Sequence, residues 1–399
     1  MVGIGPRTVM ISNSDARLLD SPLISVIVPN FMHEKYLRGR LLSITQQTYQ
    51  NIEIILLDDA SSDNSEQLLR EFSFTCEKVT KLEVNTVNSN LPIQQWIKGI
   101  SFARGDFIWI AESDDEADPE FLSTMLRIFD NHPSVGITYC NSKVIDENSQ
   151  VISQYDYTSP RYADNALWAK DFFENGTDFV VNYMTHRNVI PNVSSVLFKS
   201  EALKENICSS SLKFCADWAL YTKILRSCDI AYSSKPMNKF RKHIQTTRWH
   251  DKKSYSLELR EKFTFLRALK RLLSSNELAQ QNIDTSLSFI FENRHKYKRI
   301  SHLCDQLNLM KKSSLQQVYV FGANDIAERV VDKALELGMT PVVIDNFKCG
   351  ETCKGKEVVT LNSCELNDRS VVIICSLWHH EAMCAQLLKY GFKGQVVRV

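Results

Sequence analysis

The chain has 399 residues, enough for two or three domains, and its 47 Lys and Arg are balanced by 47 Asp and Glu. Zero formal net charge removes any global case for nucleic-acid binding, and no apolar run reaches the roughly 18–20 residues of a membrane span. The eleven cysteines are scattered, which suits reduced thiols in a cytosol better than a disulfide framework. Cys349-x-x-x-Cys353 lacks a second half of a metal site and reads as ordinary thiols.

In chain order, residues 1–20 read as a loose polar leader without a signal-peptide core. Ser25-Val26-Ile27-Val28-Pro29 is a short buried strand stopped by proline. From His33 to Gln47 the residues Tyr36, Leu37, Leu41 and Ile44 recur at helical spacing. Asn51 to Asp59 is a second strand ending in two acids, and Asp63 with Glu66 reads as a capping box for a helix through Phe72. Val79 to Thr86 is a third strand, and Pro92 to Ala103 a helix. Phe107-Ile108-Trp109-Ile110-Ala111 is a buried strand that runs out into Glu112-Ser113-Asp114-Asp115. A helix from Pro119 to about Asn131 follows, with Asp118 as its N-cap, and then a strand from Val135 to Ile145. Strand alternating with helix argues a doubly wound sheet, in which ligands bind beyond the carboxyl ends of the strands. Three such ends carry Pro29-Asn30-Phe31, Asp58-Asp59 and Glu112-Ser113-Asp114-Asp115, all expected in one crevice.

Beyond Gln150 the pattern loosens. Asp217 starts a helix through Leu225. Residues 251–315 read as a basic helical region; from Lys235 to Lys312 there are 18 Lys and Arg against 7 Asp and Glu. That bias is either a solvated helical surface or a docking surface for peripheral contact with membrane lipid. Residues 316–399 restart the α/β rhythm. Val318 to Gly322, Pro341 to Asp345, Val371 to Cys375 and Gln395 to Val399 are strands, with a helix from Asp325 to Leu337 closed by Gly338.

The acidic turn admits two readings. Crowded carboxylates repel one another, so either they serve as a solvated cap for the next helix, or a divalent cation sits among them.

Ser25 to Tyr49, Leu56 to Asp63 and Ala103 to Phe121 together resemble the family 2 glycosyltransferases, over about residues 21–250. The resemblance implies the GT-A nucleotide-sugar-binding fold, with a doubly wound mixed sheet. It implies that Pro29, Phe31 and Glu34 lie against the base and ribose of a nucleotide sugar. Of the pair Asp58-Asp59, one would accept a hydrogen bond from a base edge such as uracil. Glu112, Asp114 and Asp115 stand at the family's D-x-D position, with Glu in place of the first Asp. They would bind Mn²⁺ or Mg²⁺, joined by a late histidine, His243 first and His250 second. Arg241, Lys242 and Arg248 are set near the diphosphate. Asp217, in Cys215-Ala216-Asp217-Trp218, matches the family's general base, with Ala216 where an acid often precedes it.

The expected activity is inverting, metal-dependent transfer from a nucleotide sugar, a UDP-sugar first, to a glycan or lipid-linked acceptor in surface polysaccharide synthesis. It would take place in the cytoplasm, or peripherally on the cytoplasmic face of the membrane. The sequence gives neither the sugar nor the oligomeric state. Two rivals stand: a sugar-phosphate nucleotidyltransferase, which would need a glycine-rich basic turn where Pro29-Asn30-Phe31-Met32 stands, and a sugar-nucleotide-binding scaffold without turnover. The last unit resembles small Rossmann-like domains of sugar enzymes. Only Gly322 of a three-glycine fingerprint is present, and Asn324 stands where backbone should approach pyrophosphate. It reads as a binding, regulatory or assembly module.

Overall fold

The computed structural model describes residues 21–155, 167–242, 252–312, 317–376 and 379–398. The first part runs β1 (Ile24–Asn30), α1 (Glu34–Thr45), β2 (Ile52–Asp58), α2 (Ser65–Thr75), β3 (Val79–Val84), α3 (Pro92–Phe102), β4 (Phe107–Ile110), β5 (Glu116–Ala117), α4 (Phe121–Asn131) and β6 (Val135–Ile145). It continues through β7 (Val151–Gln154), β8 (Phe172–Glu174), α5 (Gly176–Phe179), a π-helical turn at Val180–Met184, β9 (Val196–Lys199), α6 (Ser200–Asn206), α7 (Ala216–Ile224) and β10 (Asp229–Arg241). These strands form one sheet in the order β3-β2-β1-β4-β9-β6-β10-β5, with β7 on β6 and β8 on β10.

The left half is parallel: β2 lies beside β1 with Asn30 opposite Asp58, and β4 lies on the other side with Ile110 opposite Ile27. The sheet as a whole is mixed, because β9 inserts antiparallel between β4 and β6. β6 and β10 again run parallel to each other. The carboxyl ends of β1, β2, β4, β6 and β10 therefore share one edge. Both faces are covered, which is why the strands read as unbroken apolar runs. Ile27, Ile55, Leu57, Ile108 and Ile110 point to one core, and Val26, Val28, Ile54, Leu56 and Trp109 to the other. Helix α4 starts at Phe121 rather than Pro119, and Asp118 Oδ1 accepts from Glu120 N in the turn before it. The capping box also forms differently. Asp63 Oδ1 accepts from Ser65 N, while Glu66 pairs with Arg70 one turn on.

Two long helices follow, α8 (Lys252–Leu272) and α9 (Glu277–Lys312). They do not form a region apart from the first sheet. Phe265, Leu266, Leu269, Leu273, Ala279 and Ile283 belong to the same core cluster as Ile27 and Ile110. Further along α9, Leu303, Leu307 and Met310 belong to the core of a second unit. That unit comprises β11 (Gln317–Phe321), α10 (Asp325–Glu336), β12 (Thr340–Ile344), β13 (Thr352–Cys353), β14 (Lys356–Val359), β15 (Val371–Ile374), α11 (His380–Tyr390) and β16 (Gln395–Arg398). Its sheet order, β13-β14-β12-β11-β15-β16, is parallel except at β13. No helix among the described residues is long and apolar enough to cross a membrane.

Candidate active site

The turns after β1 and β2 are stitched together by their own polar side chains. Asn30 Nδ2 donates to Asp58 Oδ1 at 2.8 Å, and Ser61 holds both turns by accepting from Met32 N at 2.9 Å and donating to Asp58 at 2.7 Å. Asp58 is fully buried. Asp59 accepts from Asn85, Ser89 and Gln95, and so pins the loop after β3. Both aspartates are thus turned to the protein in this state, shaping the loops rather than offering a bare carboxylate to a base. Pro29 is buried inside β1. Phe31, by contrast, is 45% exposed beyond the strand end. Glu34 accepts from Asn64 N and Nδ2, tying α1 to α2.

The acidic turn after β4 is the electrostatic centre. Glu112 Oε1 accepts from the Trp96 indole at 2.8 Å, which explains the longer acid: it reaches α3. Burial first, then the neighbouring Asp114 charge, pushes the Glu112 carboxyl up to about 8. Asp115 is 2% exposed and is held by Asn192 Nδ2 and by Arg241 N at 2.9 Å. The same two causes, burial and Asp114, push it up to about 7. Asp114 is half-buried. The three acids were expected to converge on one cation, but no cluster of three His, Cys, Asp or Glu positioned for a metal occurs among the described residues. Glu112 and Asp115 turn to protein donors. His243 and His250 lie outside the described residues.

A fully buried cation, which the sequence reading missed, sits under the turn. Arg40 of α1 donates from Nε to Glu112 O at 2.8 Å and lies 5.3 Å from the Trp109 ring. Its two terminal nitrogens have no hydrogen-bond partner. Burial lowers its pKa, and Asp115, Asp114 and Glu112 oppose that. The signal was in the sequence, since position 40 falls on the helix face of Leu37, Leu41 and Ile44. His33 Nδ1 lies 2.8 Å from Ser113 Oγ, so the start of α1 also touches the turn.

Arg241 is placed otherwise than expected. It is 1% exposed, donates to Asp114 O, Asp146 O and Ser149, pairs with Glu116 at 2.8 Å and stacks on Tyr36. All its donors face the protein. It latches the acidic turn to the loop after β6 and does not present its guanidinium to a diphosphate.

Asp217 lies in the first turn of α7, half-buried. Its Oδ1 accepts from Trp218 N at 2.7 Å, and its Oδ2 from Asn188 Nδ2 at 2.9 Å. Asn188 and Asn192 are four residues apart, and four residues span at most about 14 Å. Ser194, just beyond, accepts from Glu112 N at 3.1 Å and from the Trp109 indole at 2.9 Å. One loop, 188–195, therefore ties Asp217 to the acidic turn. Nothing in the sequence of that loop marked Asn188 or Asn192.

The sequence model of glycosyl transferase family 2 matches residues 25–192. That span holds the two stitched turns, the acidic turn and the loop to Asn192. Over this span the chain is similar to family 2. The chain is 41% identical over 107 residues to the glycosyltransferase GlyG of Streptococcus pneumoniae, covering 27% of this chain and 35% of that protein. An uncharacterized glycosyltransferase of Rickettsia typhi is 26% identical over 229 residues, 57% of this chain and 66% of the relative. The chain thus spans between about a third and two thirds of these relatives' own length. Among solved structures, Staphylococcus aureus TarS residues 1–349 in complex with UDP-GlcNAc superimposes with a TM-score of 0.51 at 15% identity, over 79% of this chain and 80% of that one. That likeness establishes the GT-A fold.

In the second unit, the place where a pyrophosphate would meet a helix start is filled from within. Asn324 Oδ1 accepts from Ile326 N at 2.9 Å and Ala327 N at 3.1 Å, while its Nδ2 donates to Cys375 O. Asp345, at the end of β12, accepts from Ala323 N at 2.9 Å.

Proposed function

We propose that the protein is an inverting glycosyltransferase that moves a sugar from a nucleoside diphosphate sugar, a UDP-sugar first, to a glycan or lipid-linked acceptor on the cytoplasmic side. The observation that carries this reading is the 188–195 loop, which keeps a half-buried carboxylate, Asp217, within reach of the acidic turn. The TarS complex with UDP-GlcNAc supports a UDP-sugar donor. Phe31 stacks the base, and the loops pinned by Asp58 and Asp59 form the walls of its pocket. Asp217 takes the proton of the acceptor hydroxyl as that oxygen attacks the anomeric carbon and the bond to the diphosphate breaks. A single displacement inverts the anomeric centre.

The donor set suits Mg²⁺ or Mn²⁺, which are usually held by one or two carboxylates and substrate phosphates rather than by a full protein cage. Asp114 would hold the ion, and the ion would neutralise charge on the departing diphosphate as a Lewis acid. The second unit acts as a binding, regulatory or assembly module without redox chemistry, in line with the self-capped helix start at Asn324.

A panel of nucleotide sugars, assayed for diphosphate release with Mn²⁺ and with excess EDTA, tests the reading. UDP-sugar turnover that stops in EDTA is expected. Undiminished transfer in EDTA overturns the metal role, and no release from any donor favours a binding scaffold.

A further inference from the structure

Helix α8 carries only two acids among its 21 residues, Glu258 and Glu261, in an otherwise basic stretch. Glu261 is 5% exposed. Its Oε1 accepts from Lys213 N at 2.9 Å, and its Oε2 accepts from Phe214 N at 2.7 Å and Cys215 N at 3.2 Å. These three consecutive amides lead directly into α7, and Cys215, the N-cap residue, makes no side-chain cap of its own. A helix start leaves several backbone donors unsatisfied and favours negative charge. Glu261 brings a carboxylate to that start from a different helix, 46 residues beyond Cys215, and satisfies the N-cap amide together with the two amides before it. Two other contacts fix the same place. The Trp218 ring lies 4.7 Å from Phe265 of α8, and its indole donates to Met184 O at 3.0 Å. Asn282 of α9 donates to Val181 O at 3.0 Å, in the π-helical turn that precedes Asn188.

We propose that Glu261 is a positioning residue for the transfer reaction: by gripping the amides of residues 213–215 it sets where the Asp217 carboxylate stands. The proposal rests on the reading of Asp217 as the base. Asn188 holds the carboxylate from the front, and Glu261 holds its backbone from behind. A base misplaced by about 1 Å costs up to ~10²-fold in rate. The Glu261 carboxylate spends its bonds on residues 213–215, not on the turns after β1, β2 or β4, among the hydrogen bonds described.

The test is a double-mutant cycle on the full chain. Glu261→Gln removes the charge and turns an amide donor toward backbone donors. It is expected to lower kcat about 10–100-fold while donor affinity, measured by calorimetry with the UDP-sugar, stays within twofold. If Glu261 acts only through Asp217, adding Glu261→Gln to Asp217→Asn lowers the rate no further. A capping residue that merely stabilises the fold would lower the melting temperature, leave kcat near the parent value in the cold, and multiply with Asp217→Asn. Either a parental kcat or a multiplicative double variant overturns the proposal. Should Glu261→Gln fail to fold, Glu261→Asp keeps the charge on a shorter arm and enters the same cycle. If Asp217→Asn alone turns over near the parent rate, the base assignment itself falls, and this proposal with it.

Discussion

Asp217 divides an enzyme from a scaffold most sharply. Asn keeps the size of the side chain and the oxygen that accepts from Trp218 N, so α7 stays folded. What it loses is the capacity to accept a proton at neutral pH. General-base catalysis is worth about 10²–10⁴-fold, so Asp217→Asn is expected to lose that much kcat with unchanged donor affinity. A rate within a few-fold of the parent refutes the assignment. Glu112 and Asp115 make a second prediction at this scale. Both carboxyls are pushed above their ordinary values of 4.5 and 3.8, to about 8 and about 7, by burial and by Asp114. Between the ordinary carboxylate range and those values, these two groups bind more protons in the folded chain than in the unfolded one. Their contribution to stability therefore falls as pH rises through that window. In EDTA, the melting temperature is expected to drop from pH 5 to pH 8, and Glu112→Gln to flatten the drop. A melting temperature that is level across the range in EDTA would contradict this account of the turn.

At the scale of elements, the sequence was most legible where burial is two-sided. β1, β2 and β4 showed as apolar runs because helices cover both faces of a parallel sheet, and their charged ends stood out against them. Legibility failed where an element owes its place to distant partners. β9 has only the four residues Val196–Lys199, too few for a period, yet it is inserted between β4 and β6. The acids at 58, 59 and 112 were readable as a crevice, but their partners Ser61, Ser89 and Trp96 are ordinary residues whose role exists only in three dimensions. Gly99 illustrates the same limit. In α3 it looks like a weak helix residue, but a Cβ there would stand 2.3 Å from Ile27 Cγ2. Ala is favoured over Gly in a helix by about 1 kcal/mol, whereas overpacking a buried β-branched neighbour costs about 1–3 kcal/mol. The second effect wins, because Ile27 is fully buried in a central strand. Gly99→Ala is expected to lower stability by about 1–2 kcal/mol in urea titration, and a stabilised variant would show that α3 can shift away from β1.

For the whole molecule, the position of α9 decides where the chain can be cut. The helix starts in the core of the first sheet, with Ala279 and Ile283, and ends in the core of the second unit, with Leu303, Leu307 and Met310. A chain ending at residue 250 matches the sequence-level limit of the family resemblance but loses α8. With α8 go Phe265, Leu266 and Leu269, together with the Glu261 grip on residues 213–215. Fully burying each such side chain stabilises by about 1.5–3 kcal/mol, and typical domains have only 5–15 kcal/mol to lose. That chain is expected to be insoluble or to melt far below the parent. A chain ending at 312 keeps both grips on the first unit but leaves Leu303, Leu307 and Met310 without their sheet, an apolar stripe that invites self-association. A cut near residue 292 keeps Ala279, Ile283 and Asn282 in place and removes the stripe. Of the three, the 21–292 chain should be monomeric in sedimentation, melt cooperatively and turn over the donor most nearly like the parent. Parental turnover by the 250 chain would show that α8 and α9 lie outside the working unit. Loss of turnover by a well-folded 292 chain would instead make the second unit a participant in the reaction.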